Sequence, residues 1–274
     1  MIVFSHANSF GAGTYRRLFS GLNAAGHKVA AVARYGHDSR YSVDHNWRGM
    51  VNELIALIDS IEDERVWLVG HSMGGYLSLI AAVQRPERLH GVVLLDSPIL
   101  SGWKSGIISL VKAAGQMRRL SPTWVSIRRR DHWPSTEHVH QHFSGKPLFA
   151  RWHPEVLRDY VETGTEPDPG DPKGIARRLS FHREVESAIY ATIPHWLDAY
   201  LRRHPLGVPV AFMGGRRSRE TRQIGLGATR RITQERVSWM EGSHLFPFEQ
   251  PDETVAELLK WFARLQPGQK REAK

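Results

Sequence analysis

Val66-Trp-Leu-Val-Gly-His-Ser-Met-Gly-Gly-Tyr76 runs from an apolar segment, through a glycine-rich break, into a second apolar segment. Val66 to Val69 predicts a buried strand, and Tyr-Leu-Ser-Leu-Ile-Ala-Ala-Val from Tyr76 predicts a buried helix. Between them stands Gly70-His71-Ser72-Met73-Gly74, a Gly-x-Ser-x-Gly pentapeptide. A strand that turns sharply into a helix through this pentapeptide is a nucleophile elbow. The turn holds Ser72 at a strained backbone position with its hydroxyl pointing out. Gly70 and Gly74 are small because neighbouring backbone passes close on both sides. The Met73 N–H, at the helix N-terminus, is then free to meet a developing oxyanion. The pentapeptide alone is common in proteins; the strand before it and the helix after it give it weight.

Working outward, Ile2-Val-Phe is a first strand that ends in the polar loop Ser5-His6-Ala7-Asn8-Ser9-Phe10-Gly11. Thr14 is placed to cap a helix over Tyr15 to Ala25, with Gly26 as its stop. Lys28 to Ala33 predicts a second strand. Asp44 or Asn46 starts a helix over Trp47 to Ile61, where Met50, Val51, Leu54, Leu57 and Ile58 recur at helical spacing. Gly91 to Leu95 is another buried strand, closed by Asp96-Ser97-Pro98. Strands alternating with helices over short loops imply a parallel sheet with right-handed crossovers. The rhythm then stops. Between Ile99 and Pro205 lie helical patches (Gly106 to Arg118, Thr136 to Phe143, Pro154 to Thr163, Val185 to Ile189, His195 to Arg203), Pro- and Gly-rich breaks and no convincing buried strand. It resumes with strands at Val208 to Met213 and Arg236 to Met240 and a closing helix, Pro251 to Leu265, before the charged tail Gln266 to Lys274. The expected architecture is α/β: a mostly parallel sheet flanked by helices, built from residues 1–98 and 206–274. Residues 99–205 are expected to form a helical cap inserted over the strand ends.

The 274 residues are 41% hydrophobic, enough for a large core. No apolar run approaches the ~20 residues of a membrane span, and Met1-Ile-Val-Phe-Ser-His reads as something other than a signal peptide. Cysteine is absent, which removes disulfides, thiolate metal sites and Cys nucleophiles and agrees with a cytoplasmic location. The net charge is +9, with arginines at 128–130, 177–178, 202–203, 216–217 and 230–231. One reading is a nucleic-acid surface. The clusters are scattered and no recognition signature accompanies them, so a solvated basic surface is expected, with no nucleic-acid partner. A basic cap that attracts an anionic substrate is the intermediate option. Asp131, His132, His138, His140 and His142 fit no common zinc spacing; neither a metal nor a cofactor is expected.

A serine hydroxyl needs a base within hydrogen-bond reach, and the base needs an orienting acid. Of 15 histidines, His244 stands out because Gly242-Ser243-His244 follows the last strand and precedes the last helix. With Ser5-His6-Ala7-Asn8 after the first strand and Gly70-His71-Ser72-Met73-Gly74-Gly75 at the elbow, the chain resembles the α/β-hydrolase fold along nearly its whole length. Most members of that family have two further strands ahead of the point where this chain begins. The resemblance therefore implies a sheet shortened at its N-terminus or a start further upstream. Most also carry an Asp after the penultimate strand, where this chain reads Met213-Gly-Gly-Arg-Arg-Ser-Arg-Glu-Thr-Arg222. A minority carry the acid after the strand that follows the elbow helix, and Asp96 stands there. Asp96 is thus the expected acid and Glu220 the alternative; a plain turn residue ahead of Ser97-Pro98 is the other role for Asp96. The resemblance further implies a second oxyanion donor in the first loop. His6-Ala7 replaces the family's His-Gly pair there, and Asn8 takes the donor role. His6, His71, Trp103 and Trp133 are the residues expected at the substrate pocket. A serine rather than an aspartate at the elbow implies an acyl-enzyme. The expected activity is hydrolysis of a small ester or related acyl compound. Acyl transfer, carbon–carbon bond hydrolysis and non-catalytic binding of a small molecule remain as alternatives.

Overall fold

The computed structural model describes residues 1–117 and 123–266. In chain order the strands among them are β1 (Ile2–Ser5), β2 (Val29–Ala31), β3 (Val66–His71), β4 (Leu89–Leu95), β5 (His132–Trp133), β6 (Thr165–Pro167), β7 (Arg177–Leu179), β8 (Val210–Gly215) and β9 (Val237–Met240). Six of them form one sheet in the order β2-β1-β3-β4-β8-β9, parallel throughout. Side chains alternate along each strand, so each buries two faces. Ile2, Phe4, Trp67, Val69, Val93, Leu95, Ala211 and Met213 enter one core, with Leu18, Leu22, Leu258 and Phe262 from helices α1 (Arg16–Ala24) and Pro251–Leu265. Val3, Val66, Leu68, Val92, Leu94, Val210 and Phe212 enter the other, with Met50, Leu54, Ile58, Leu77 and Ile80 from α2 (Arg48–Asp59) and α3 (Met73–Gln84). The elbow helix α3 is apolar on every side because it packs between sheet and α2, and residues from Met73 to Ala82 are buried.

Small departures from the expected elements have local causes. A 3-10 turn, Ala12–Tyr15, precedes α1, and Thr14 is buried inside it instead of capping the helix. Strand β2 is only three residues because, at the sheet edge, it pairs on one side alone. Of the two candidate starters of α2, Asp44 does the work: its Oδ1 accepts the N–H of Arg48 at 2.9 Å.

Residues 99–205 depart further. They carry helices, including α4 (Gly102–Ala113), together with β5, β6 and β7, which form a small antiparallel sheet in the order β5-β7-β6. The absence of strands expected there is therefore corrected. Runs of two or three residues are too short to display a period of two. The predicted helix from Gly106 ends on Arg118, which lies outside the described residues, as does the tail after Gln266. This segment does not keep a core of its own. Trp152, Phe149 and Tyr160 pack through Phe10 and Phe248 into the core of α1, with ring centroids 4.6 Å apart for Trp152 and Phe248. Ion pairs join it to the sheet layers at Arg17–Glu155 (2.7 Å) and Arg34–Glu166 (3.2 Å), surface pairs of small individual worth.

Candidate active site

Parallel strands gather the loops at their C-terminal ends, and a site on such a sheet forms there. Register brings them level: Ser5 pairs with Gly70, His71 with Leu95, Leu95 with Met213, and Gly215 with Met240. The loops that follow these strand ends therefore open on one side of the sheet, and Ser72 and Asp96, the residues directly after β3 and β4, line one cavity there.

Ser72 connects β3 to α3 at φ 52°, ψ −114°, a conformation that L-residues seldom adopt. Its N–H donates to Leu95 O at 3.0 Å, and its carbonyl accepts from Ser97 Oγ at 2.8 Å and from the Gly75 N–H at 3.0 Å. These bonds hold the strained turn. A Cβ on Gly74 would collide with the carbonyl of Ser5, and one on Gly70 with the backbone of Gly74. Neither position has room for a larger residue. Met73 is the first residue of α3, so its N–H has no carbonyl four residues back within the helix.

Asp96 follows β4 directly, at φ 41°, and is fully buried. Its carboxylate accepts four hydrogen bonds. Oδ2 receives His244 Nδ1–H at 2.7 Å and Ser218 Oγ–H at 2.5 Å; Oδ1 receives Gly215 N–H at 2.8 Å and Thr221 Oγ1–H at 3.1 Å. Burial opposes ionisation of Asp96 most strongly. The bond and charge of His244, then Ser218 and Gly215, outweigh it and bring the carboxyl below the ordinary carboxylate range. The same pairing acts on His244 in reverse. Burial pushes its pKa down, but the hydrogen bond and charge of Asp96, with the charge of Glu220, hold it above the usual imidazole value. With Nδ1 committed to Asp96, Nε2 is the nitrogen left to accept a proton.

His244 is itself held from behind. Its carbonyl accepts His71 Nε2–H at 2.9 Å, and the preceding Ser243 N–H donates to Glu249 Oε2 at 3.1 Å. His71 Nδ1 accepts from the Tyr15 hydroxyl at 2.7 Å, and Tyr15 in turn accepts the Ala7 N–H at 3.1 Å. This buried chain ties the first loop to the His244 loop, and its tautomers are fixed by the partners. Burial, helped by the nearby His244, takes His71 down to about 3, so it stays neutral. His6 donates from Nδ1 to Ala7 O at 2.8 Å and accepts the Tyr35 N–H at Nε2 at 3.0 Å; burial takes it down to about 4.

A cavity of about 230 Å³ opens beside Ser72, with Asn8, Met73, Asp96, Glu220 and His244 on its wall. Trp47, Tyr76, Ile189, Tyr190, Ile193 and Ile224 supply most of the apolar remainder. All the residues expected to serve as nucleophile, base, acid and oxyanion donors thus share one cavity. Only Asp96 of the two candidate acids is hydrogen-bonded to His244. The side-chain amide of Asn8 is engaged elsewhere, donating to Glu186 O at 3.1 Å while its oxygen accepts the Ser9 N–H. That leaves the Asn8 backbone N–H as its available donor. The expected pocket residues are not brought there. His6 and His71 lie behind the site in the hydrogen-bonded framework, Trp133 is in the aromatic core, and Trp103 is 72% exposed on α4. The aromatic wall comes instead from Trp47, Tyr76 and Tyr190.

Among the described residues, the grouping able to hold a metal ion is Asp96, Glu220 and His244, whose ligand atoms all lie within 4.8 Å of one another. Four hydrogen bonds already engage both oxygens of the Asp96 carboxylate. Sequence reasoning passed over Gly215, Ser218 and Thr221 as partners of Asp96. Ser218 had a signal: it caps the helix Arg219–Ile224, accepting the Thr221 N–H at 3.0 Å. Its hydroxyl stands where the resemblance places the usual acid, and it donates to Asp96.

A family model for the alpha/beta hydrolase family matches residues 2–258. The chain is 28% identical over 138 residues to the monoglyceride lipase of Rattus norvegicus, covering 48% of this chain and 45% of the lipase. Across the curated relatives matched first, the matched segments span 21% to 45% of their own lengths. Among solved structures, E-2-(acetamidomethylene)succinate hydrolase superposes with a TM-score of 0.69 at 19% identity, over 96% of this chain and 91% of that one. A thioesterase domain from the curacin biosynthetic pathway gives 0.71 at 17% identity, over 96% and 90%. At such identities the likeness is one of fold. No helix among the described residues is long and apolar enough to cross a membrane.

Proposed function

The chain belongs to the alpha/beta hydrolase family, and on that premise we propose that it is a cofactor-independent serine hydrolase of a small ester or related acyl compound. The observation that carries the reading is the 2.7 Å contact between His244 Nδ1 and the buried Asp96, in the cavity that also contains Ser72. Asp96 holds the imidazole in the tautomer whose Nε2 accepts a proton. Ser72 Oγ gives its proton to Nε2 as it attacks the acyl carbon. The carbonyl oxygen becomes an oxyanion and receives the Met73 and Asn8 N–H groups. The imidazolium, stabilised by Asp96, gives its proton to the leaving group as the carbon–oxygen bond breaks. Water, deprotonated by His244, attacks the acyl-enzyme and restores Ser72. A cavity of about 230 Å³ with an apolar lining favours a short acyl chain.

The test is labelling with a small fluorophosphonate, located by peptide mass mapping, beside Ser72→Ala. The expected outcome is one adduct, on Ser72, absent from the variant, together with hydrolysis of short neutral esters that the variant loses. Unchanged ester turnover in folded Ser72→Ala would refute the assignment.

A further inference from the structure

The chain carries a net charge of +9, yet no Lys or Arg is among the described residues lining the cavity beside Ser72. Arginines from three of the basic clusters pair with carboxylates that do not line the cavity. Arg216 lies 2.9 Å from Glu241, Arg178 2.7 Å from Glu166 and Arg129 2.9 Å from Glu186. The cavity wall instead carries two carboxylates. Asp96 is buried and spent on His244, Ser218, Thr221 and Gly215. Glu220 is exposed, and its polar contact is a long one, 3.4 Å from Ser218 Oγ. Its ligand oxygen lies within 4.8 Å of a His244 ring nitrogen. Tyr190, from residues 99–205, lines the same cavity as Glu220.

The position of Glu220 relative to the reacting groups matters. The acyl part of a substrate bonds to Ser72 and its oxygen turns to the Met73 N–H. The leaving group must reach His244 to receive its proton, and Glu220 stands beside His244. We propose that Glu220 is a charge selector for the leaving group: the site takes acyl compounds whose leaving group is neutral or cationic and turns away those whose leaving group is anionic. The proposal rests on the serine-hydrolase reading. It reverses the anionic substrate that the overall basic charge suggests. A net field acts at long range on encounter, whereas a carboxylate a few ångströms from the leaving group acts on the bound state.

The experiment compares three acetate esters of similar size: acetylcholine, its neutral isostere 3,3-dimethylbutyl acetate, and 4-acetoxybutanoate. In the wild type, kcat/KM relative to the neutral ester should rise about tenfold for the cation and fall about tenfold for the anion at low salt, narrowing as ionic strength increases. In Glu220→Gln both ratios should approach one. Each ratio is taken within one enzyme, so a general loss of activity cancels. Binding of the same three esters to Ser72→Ala, followed by fluorescence of Trp47 in the cavity wall, should give the same ranking. That second readout separates the two ideas. Charge-ranked binding with no turnover by the wild type would sink the hydrolase reading alone. An anionic ester bound or cleaved as well as the neutral one, or a ranking that survives in Glu220→Gln, would overturn the selector.

Discussion

Replacing Asp96 by Asn removes a charge while leaving the volume unchanged, and the consequence depends on the four contacts of the carboxylate. The amide oxygen can remain where Oδ1 is, still accepting the Gly215 N–H and the Thr221 hydroxyl. The NH2 group then occupies the place of Oδ2, facing His244 Nδ1 and Ser218 Oγ. A hydroxyl can rotate to accept, so Ser218 adapts. His244 can accept at Nδ1 only by moving its proton to Nε2, and that tautomer cannot take a proton from Ser72. We expect kcat to fall by about 10³- to 10⁴-fold, with stability reduced by about 1–3 kcal/mol for imperfect pairing of buried groups. The pH profile changes as well. Burial, the largest influence on His244, lowers its pKa and is now unopposed by the Asp96 charge. The acid limb of kcat/KM, above the ordinary imidazole value in the wild type, should move down. The assay is the pH profile of a neutral ester for wild type, Asp96→Asn and Glu220→Gln, with urea denaturation to confirm folding. A loss under tenfold in folded Asp96→Asn, or a larger loss in Glu220→Gln, would transfer the orienting role to Glu220.

Two further expectations concern the scaffold. Gly74→Ala forces a Cβ into the Ser5 carbonyl and should cost more than about 3 kcal/mol or abolish soluble expression. Gly106→Ala, in α4 with open space around it, should be neutral or gain about 0.5–1 kcal/mol; urea midpoints for the two glycines are the check, and similar values would contradict the packing argument. Stability should also fall on mild acidification. His6 and His71 are buried neutral at about 4 and about 3, below the ordinary 6.5, so the unfolded chain binds more protons than the folded one from pH 6.5 downward. Their contribution is present above pH 6.5 and lost as pH falls towards the folded values, by up to about 1.4 kcal/mol per pH unit for each histidine. His37, taken by burial to about 4, adds to them, while His244 and Glu53, the latter pushed by burial up to about 7, act with the opposite sign; three groups then stand against two. Urea midpoints at pH 7.5 and 5 measure the difference; a higher midpoint at pH 5 would contradict it.

The parts of the molecule most legible in the sequence are those where one residue type is compelled by local backbone. Gly70 and Gly74 allow only a close turn, and Val66 to Val69 only a buried strand, so Ser72 can be located without knowledge of any contact. Asp96 is recognisable by its place after a strand. Its partners are not, because Ser218 and Thr221 lie more than 120 residues away and meet it only through the β4–β8 pairing. His6 and His71 are expected at the pocket because histidine beside a catalytic loop is chemically suggestive. Both are instead consumed by hydrogen bonds, His6 to backbone groups of Ala7 and Tyr35 and His71 to the His244 carbonyl and the Tyr15 hydroxyl, and demand of that kind leaves no periodic trace. The cavity wall is the least legible part. Tyr190 and Ile193 come from one excursion of the chain and Glu220 from another, and no spacing rule joins them to Ser72.

The short helix Arg219–Ile224 and its cap perform two duties within the four residues 218–221. Ser218 at its cap and Thr221 in its first turn grip Asp96, while Glu220 between them faces the cavity. Substitutions at Glu220 will therefore be epistatic with those that alter the grip on Asp96. Libraries that vary residues 218–221 together should return few active members. Libraries directed to Ile193 and Ile224, which line the same cavity and are only partly buried, should keep more active members.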